Sequence, residues 1–324
     1  MRGEMGARAN LTGDIKFYDT AGVAHVVARD QYRSKLLPDQ FIKANDDPDA
    51  LRGAIAIALM DGFFEEAVAP ARRLVEIDPD PARAINTLGV ALMRSGDPDE
   101  ARDIYESYLR DTGPDGYILT NLAKAYDMCG DRPRAEQTLS EGLECDPNQE
   151  NAVIWWGAIY RERGGDQGFL DAMRRLALVP GSWRAQLWLN RKLLEDGRVD
   201  EALASYRSLL PAAGKDGGAL MMISGDLGKN EHAREALDLV GPVYDPATHG
   251  IETGVNLVQA CIQLGEVRRG RRLIAELRAL GRYDWFKYLD ALQDQLKPAW
   301  VTRLASASSG LRKRYADIKR SASR

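Results

Sequence analysis

The sequence predicts an all-α protein, an α-solenoid of consecutive antiparallel helix pairs, on three observations. A glycine ending an apolar-periodic stretch returns at Gly62, Gly96, Gly130, Gly164, Gly197, Gly228 and Gly265, at intervals of 34, 34, 34, 33, 31 and 37 residues. A period of this size marks an array of stacked supersecondary units. Between the glycines the apolar spacing is helical, as in Ile85, Leu88 and Leu92, then Ile104, Tyr105, Tyr108 and Leu109. Finally, Pro79, Pro114, Pro147, Pro180, Pro211 and Pro246 close successive units, because proline lacks the N–H that a continuing helix needs.

Taken in order, residues 1–47 form an N-terminal cap. Residues 15–27 read as two short strands around an Asp-Thr-Ala-Gly turn, and 30–44 as a helix interrupted near Pro38. This piece is expected to cover the apolar face of the first pair. Seven units follow, at 48–81, 82–115, 116–149, 150–182, 183–213, 214–250 and 251–284. In three of them a small residue seven before the turn (Gly89, Ala123, Gly157) lets the second helix approach the first. An alanine after the turn (Ala67, Ala101, Ala135, Ala202, Ala233) does the same from the other side. Asp97 before Pro98, and Asp131 before Arg132-Pro133, read as N-caps at the start of second helices. The later units drift: Phe169 and Gly270 stand where the alanine is expected, and Gly225 lies inside a helix. Residues 285–296 form a capping helix with Leu289, Leu292 and Leu296 on one side. The remaining 297–324 hold eight Lys/Arg and one acid, a basic tail of flexible composition.

The unit at 116–149 resembles the tetratricopeptide repeat (TPR) family at Leu122, Ala123, Tyr126, Gly130, Ala135 and Pro147. The unit at 82–115 is similar to it at Leu88, Gly89, Gly96, Ala101 and Tyr105. Seven units in phase over about 48–284 carry the resemblance across most of the chain, and the runs PGSWRAQLWL and ALMMISGDLG suggest a bacterial subgroup. It implies a right-handed superhelix whose first helices line a concave groove, with groove residues at the second, fifth, sixth, ninth and twelfth or thirteenth positions of each unit. Transferred here, that frame gives Tyr117, Asn121, Lys124, Asn151, Trp155, Arg184, Trp188 and Arg191 as a peptide-binding groove, with Thr120, Asp127, Arg161 and Lys215 beside it.

Asparagine can pair with both groups of a ligand backbone, arginine with a carboxylate, and tryptophan can anchor apolar side chains. A protein or peptide partner, acidic or with a free carboxylate, fits this lining. The alternative reading has the tryptophans filling space between helices and the arginines pairing with neighbouring acids. Trp156 and Leu189 are assigned to the core. A chaperone-type carboxylate clamp is disfavoured, since Ala56 and Val90 occupy ninth positions where it needs asparagine.

Composition narrows the remaining classes. The 324 residues are 44% hydrophobic and 28% charged, with a net charge of −4, against a generally basic nucleic-acid binder. The longest apolar run, 54–60, is far short of the roughly 20 residues of a membrane helix. The N-terminal residues have no apolar signal region. Three dispersed cysteines (Cys129, Cys145, Cys261) and three isolated histidines (His25, His232, His249) match no metal or redox spacing, so no cofactor is expected and a reduced, cytoplasmic setting is. Gly214-Lys215 fails as a phosphate loop, with Arg207 at the earlier glycine position and Asp216 in place of Ser/Thr. No nucleophile, metalloprotease or dinucleotide motif is present. The expected function is a non-enzymatic adaptor; the alternative is attachment of the solenoid through its basic tail to nucleic acid or an anionic membrane.

Overall fold

A computed structural model describes residues 13–18 and 24–296. The expected Asp-Thr-Ala-Gly turn and the basic tail lie outside them. The fold is all-α apart from one small hairpin, and the chain divides into two compact units, 1–182 and 183–324.

In unit 1, β1 (Ile15–Tyr18) and β2 (Ala24–Val27) pair antiparallel, with Ile15 opposite Val27. Then come α1 (Arg29–Gln31), a π-helical stretch Tyr32–Leu36, and α2 (Leu37–Ala44). Helix therefore continues through the expected interruption: Pro38 starts α2, and the wider i→i+5 turn just before it accommodates the missing N–H. Ile15, Tyr32 and Leu37 are buried in one cluster with Leu51, Ile55 and Phe63, and the Tyr32 ring stacks on Phe63 at 5.5 Å. The cap thus covers the first pair.

The pairs themselves are α3 (Pro48–Met60) with α4 (Phe64–Ile77), α5 (Pro81–Ser95) with α6 (Pro98–Thr112), and α7 (Gly116–Met128) with α8 (Arg132–Cys145). A fourth pair lies within α9 (Glu150–Leu176), which breaks at Gly164 and Gly165; Gly165 takes φ 62°. The first helices α3, α5 and α7 lie side by side. Small residues do the work expected of them. A Cβ on Gly89 would lie 2.1 Å from the Tyr105 ring, and one on Gly157 would lie 2.4 Å from Phe169. Phe169 is accommodated because its partner is a glycine.

Unit 2 contains α10 (Arg184–Glu195), α11 (Val199–Ala213), α12 (Gly217–Lys229), α13 (Ala233–Leu239), the short α14 (Pro246–His249), α15 (Ile251–Leu264), α16 (Val267–Ala279) and α17 (Phe286–Gln295). Pro211 does not close its unit; α11 carries it in the last turn and runs on to Ala213. Two further expectations are corrected in the sixth pair. Gly228 is helical, and the left-handed turn residue is Glu231, at φ 67°. The intervals around it become 34 and 34, and the buried alanine five residues on is Ala236 rather than Ala233, although both are buried. Leu289, Leu292 and Leu296 are buried as expected, and Leu296 occupies the space that a side chain at Gly270 would need.

Candidate functional site

The expected groove residues fall in both units, and each set has its own surroundings. In unit 1, Asp115 caps α7 by accepting the Ile118 N–H at 2.9 Å, which fixes the start of the helix carrying Tyr117, Asn121 and Lys124. Tyr117 is exposed. Asn121 is buried; its amide donates to Asn86 Oδ1 on α5, and its Oδ1 accepts from Lys124 Nζ at 3.1 Å. Lys124 is half-buried. Burial pushes its pKa down, and the nearby Arg94 of α5 adds to the shift. Among the described residues no carboxylate pairs with Lys124 or Arg94. The structure therefore joins Asn86, Arg94, Asn121 and Lys124 into one polar, cationic patch across two adjacent first helices.

Asn86 and Arg94 were missing from the sequence-derived set. They stand at the fifth and thirteenth positions of the 82–115 unit, so the same positional frame contained them. Thr120 is buried and donates to Gln149 Oε1 at 2.6 Å. Asn151 is exposed, whereas Trp155 is partly buried against the unit 1 core. Trp155 also lines a hollow of about 360 Å³ with Asp127, Arg132, Glu136, Ile159 and Arg163.

In unit 2 the arginines have internal partners. Arg184 was expected on an accessible face, and this is corrected: it is 3% exposed, its Nη2 lies 2.9 Å from Asp216 Oδ2, and its guanidinium sits 4.8 Å from the Trp183 ring. The reason is local. Asp216 caps α12 by accepting the Ala219 N–H at 2.8 Å, and Arg184 braces that cap. Arg191 is partly exposed, lies 4.4 Å over the Trp188 ring, and donates from Nε to Asp226 Oδ1 at 2.7 Å. Burial raises the Asp226 carboxyl pKa despite Arg191. These contacts match the ion-pair alternative for both arginines. Trp156 and Leu189, expected in the core, are only partly buried, although Leu88 and Leu122 at the same repeat position are buried. Trp156 lies against Tyr160 at 4.8 Å. Lys215 is exposed.

Between α12 and α15, Ser224, Gly225, Gly228, Lys229, Asn256, Gln259 and Gln263 line a second, polar hollow. Asn256 donates to Ser224 Oγ at 3.1 Å, and a Cβ on Gly225 would come within 3.3 Å of the Asn256 amide. Here Gly225, which weakens its helix, makes room for an amide from the neighbouring one. Among the described residues no group of three His, Cys, Asp or Glu side chains is arranged to hold a metal, and no helix is long and apolar enough to cross a membrane.

Serial helix pairs with amide, aromatic and cationic side chains on their first helices define a helical repeat protein. Residues 92–153 match the family model described as tetratricopeptide repeat. No curated protein sequence matches the chain. Among solved structures, a tetratricopeptide repeat protein from Parabacteroides merdae is 16% identical, covering 77% of this chain and 98% of that one, with a TM-score of 0.37. Yeast Tom70 is 16% identical over 81% of this chain and 58% of its own, with a TM-score of 0.49. YrrB, described as a TPR protein with an unusual peptide-binding site, is 15% identical over 71% of this chain and 98% of its own, at a TM-score of 0.29.

Proposed function

We propose that this protein is a non-enzymatic interaction scaffold that holds a protein segment along the face of its first helices, seating an anionic group of that segment at Lys124. The observation that carries this reading is half-buried Lys124, held on Asn121 with no carboxylate partner among the described residues, with Arg94 near enough to disfavour its charge. Two cations held together, one of them half-buried, repel each other and lose hydration. An incoming carboxylate relieves both effects. The Asn86–Asn121 amide pair holds Lys124 Nζ in place before the ligand arrives, which lowers the ordering cost of binding. Exposed Tyr117 and Asn151 and half-buried Trp155 supply further contacts in unit 1. In unit 2, Arg184 is a brace and takes no part in this reading.

Selection from a displayed peptide library on the immobilised full chain tests the proposal. Recovered peptides are expected to carry an acidic side chain or a free C-terminal carboxylate. Lys124→Ala should weaken them by about 10-fold or more, in keeping with about 1.5–3 kcal/mol for a hydrogen bond to a charged group. Lys124→Arg should retain part of the affinity. Recovery of neutral peptides alone, or an affinity indifferent to Lys124→Ala, overturns the reading.

A further inference from the structure

Charge is strongly segregated along this chain. Residues 267–324 hold fifteen Lys/Arg and five Asp/Glu, a net +10, which leaves −14 for residues 1–266. Within this segment α16 carries five arginines, no lysine and one acid, Glu276. Its buried residues, Gly270, Ile274 and Leu277, face the unit 2 core. Two of its arginines are engaged there: Arg269 with Glu266 at 3.6 Å and the Leu237 carbonyl at 3.0 Å, and Arg278 with Asp290. The other three, Arg268, Arg271 and Arg272, are exposed and share one face at spacings of i, i+3 and i+4. Among the described residues no acid pairs with any of them. Arg271 reaches only the Leu296 carbonyl, at 3.4 Å, the last described residue before the eight further Lys/Arg of 297–324.

We infer that this arginine face binds the phosphate backbone of a nucleic acid without reading its sequence. Three features favour that partner. Guanidinium groups alone line the face, and their planar forks match phosphate oxygens in a bidentate geometry that lysine lacks. The face is fixed on a helix, so the three charges stay at a set spacing and lose little freedom on binding. Its exposed neighbours on α16 are Ala275, Glu276 and Ala279, with no large apolar side chain to enter a lipid layer, which an interfacial helix needs. The acidic remainder of the chain does not cancel the face, because charges beyond about 8 Å are largely screened at physiological salt.

The test is fluorescence anisotropy of a labelled 20-base-pair duplex of mixed sequence with the full chain, across a salt series from 50 mM. Binding that weakens steeply with salt is expected. Arg268→Gln/Arg272→Gln touches no described contact, so the fold is retained, as circular dichroism will verify. It should flatten the log–log salt slope by about 0.9 for each phosphate contact removed. Arg268→Lys/Arg272→Lys should restore the slope and only part of the affinity. The inference is overturned if no duplex binding occurs at 50 mM salt, or if the Gln variant binds with unchanged slope and affinity. It is equally overturned if vesicles of one-third phosphatidylserine take up the protein while the duplex does not.

Discussion

Arg184 and Arg191 share a helix and a chemistry, and burial alone separates what each does. Arg184 has almost no exposed surface, and its guanidinium holds the Asp216 carboxylate that caps α12. Removing it leaves a partly exposed Asp216 rather than a sealed charge, so the loss stays below the ~3–5 kcal/mol of a fully buried broken pair. Arg184→Ala should therefore destabilise unit 2 by about 2 kcal/mol, seen as a lower urea midpoint, with peptide affinity at Lys124 unchanged. Arg191→Ala should cost at least as much, because it leaves the Asp226 carboxyl, only 7% exposed, without its ion-pair partner, and it also strips the cation from the Trp188 ring. If Arg184→Ala leaves the midpoint where it was, the brace is not a brace. The sequence placed both arginines on one helical face, and it also contained the acids they meet, 32 and 35 residues downstream. What it lacked was depth. Position in a repeat says which way a side chain sets out, and only packing decides whether it reaches solvent. Asn121 makes the same point: the frame put it on the groove face, and packing leaves it buried against Asn86 one repeat away.

At the scale of elements, the repeat pattern was legible wherever glycine did the turning. It misled where another residue did. In the sixth pair the eye goes to Gly228, but the chain turns at Glu231, a non-glycine residue with φ 67°. Its Cβ crowds the backbone there, a strain of roughly 1–2 kcal/mol that glycine does not suffer. The Glu231 side chain is exposed and makes no described contact, so little is lost with it. Glu231→Gly should raise the stability of unit 2 by about 1 kcal/mol, the net left after the extra freedom glycine has when unfolded. A fall in the urea midpoint would show that the Glu231 carboxylate contributes more than its surroundings suggest. The reverse change at Gly165, whose φ of 62° and ψ of −153° suit glycine almost alone, should be costly: Gly165→Ala is expected to lose about 1–3 kcal/mol. The break inside α9 was legible as a glycine-rich turn, but the pattern put the turn at Gly164, and it is Gly165 that takes the positive φ.

Across the molecule, two compact units imply two stabilities, and their buried carboxylates make those respond oppositely to pH. In unit 1, Asp78 accepts from Arg83 at 2.7 and 2.9 Å and from the Asp80 N–H, and the Arg83 bonds chiefly hold its carboxyl below the usual range. A depressed pKa stabilises the fold in full above the unfolded value of about 3.9, and that gain is lost only as pH falls through the folded value. In unit 2, burial raises Asp226 more than Arg191 lowers it. The folded unit then takes up a proton at higher pH than the unfolded chain, so its stability rises as pH falls through the raised value, and the penalty is complete above it. Tryptophan fluorescence can follow each unit: Trp155 and Trp156 lie in unit 1, and Trp183, Trp188, Trp285 and Trp300 in unit 2. With Trp155→Phe/Trp156→Phe as the background, urea unfolding at pH 5 and pH 7 reads unit 2 alone. Asp226→Asn should shrink whatever advantage pH 5 holds over pH 7 in this unit. In the complementary background, Asp78→Asn should lower the unit 1 midpoint by the same amount at both pH values, because Asp78 is ionised throughout that window. Equal pH responses of wild type and Asp226→Asn would mean that Arg191 and the nearby Lys229 hold the Asp226 carboxyl at its ordinary value, and the buried charge in unit 2 would then carry no pH dependence of its own.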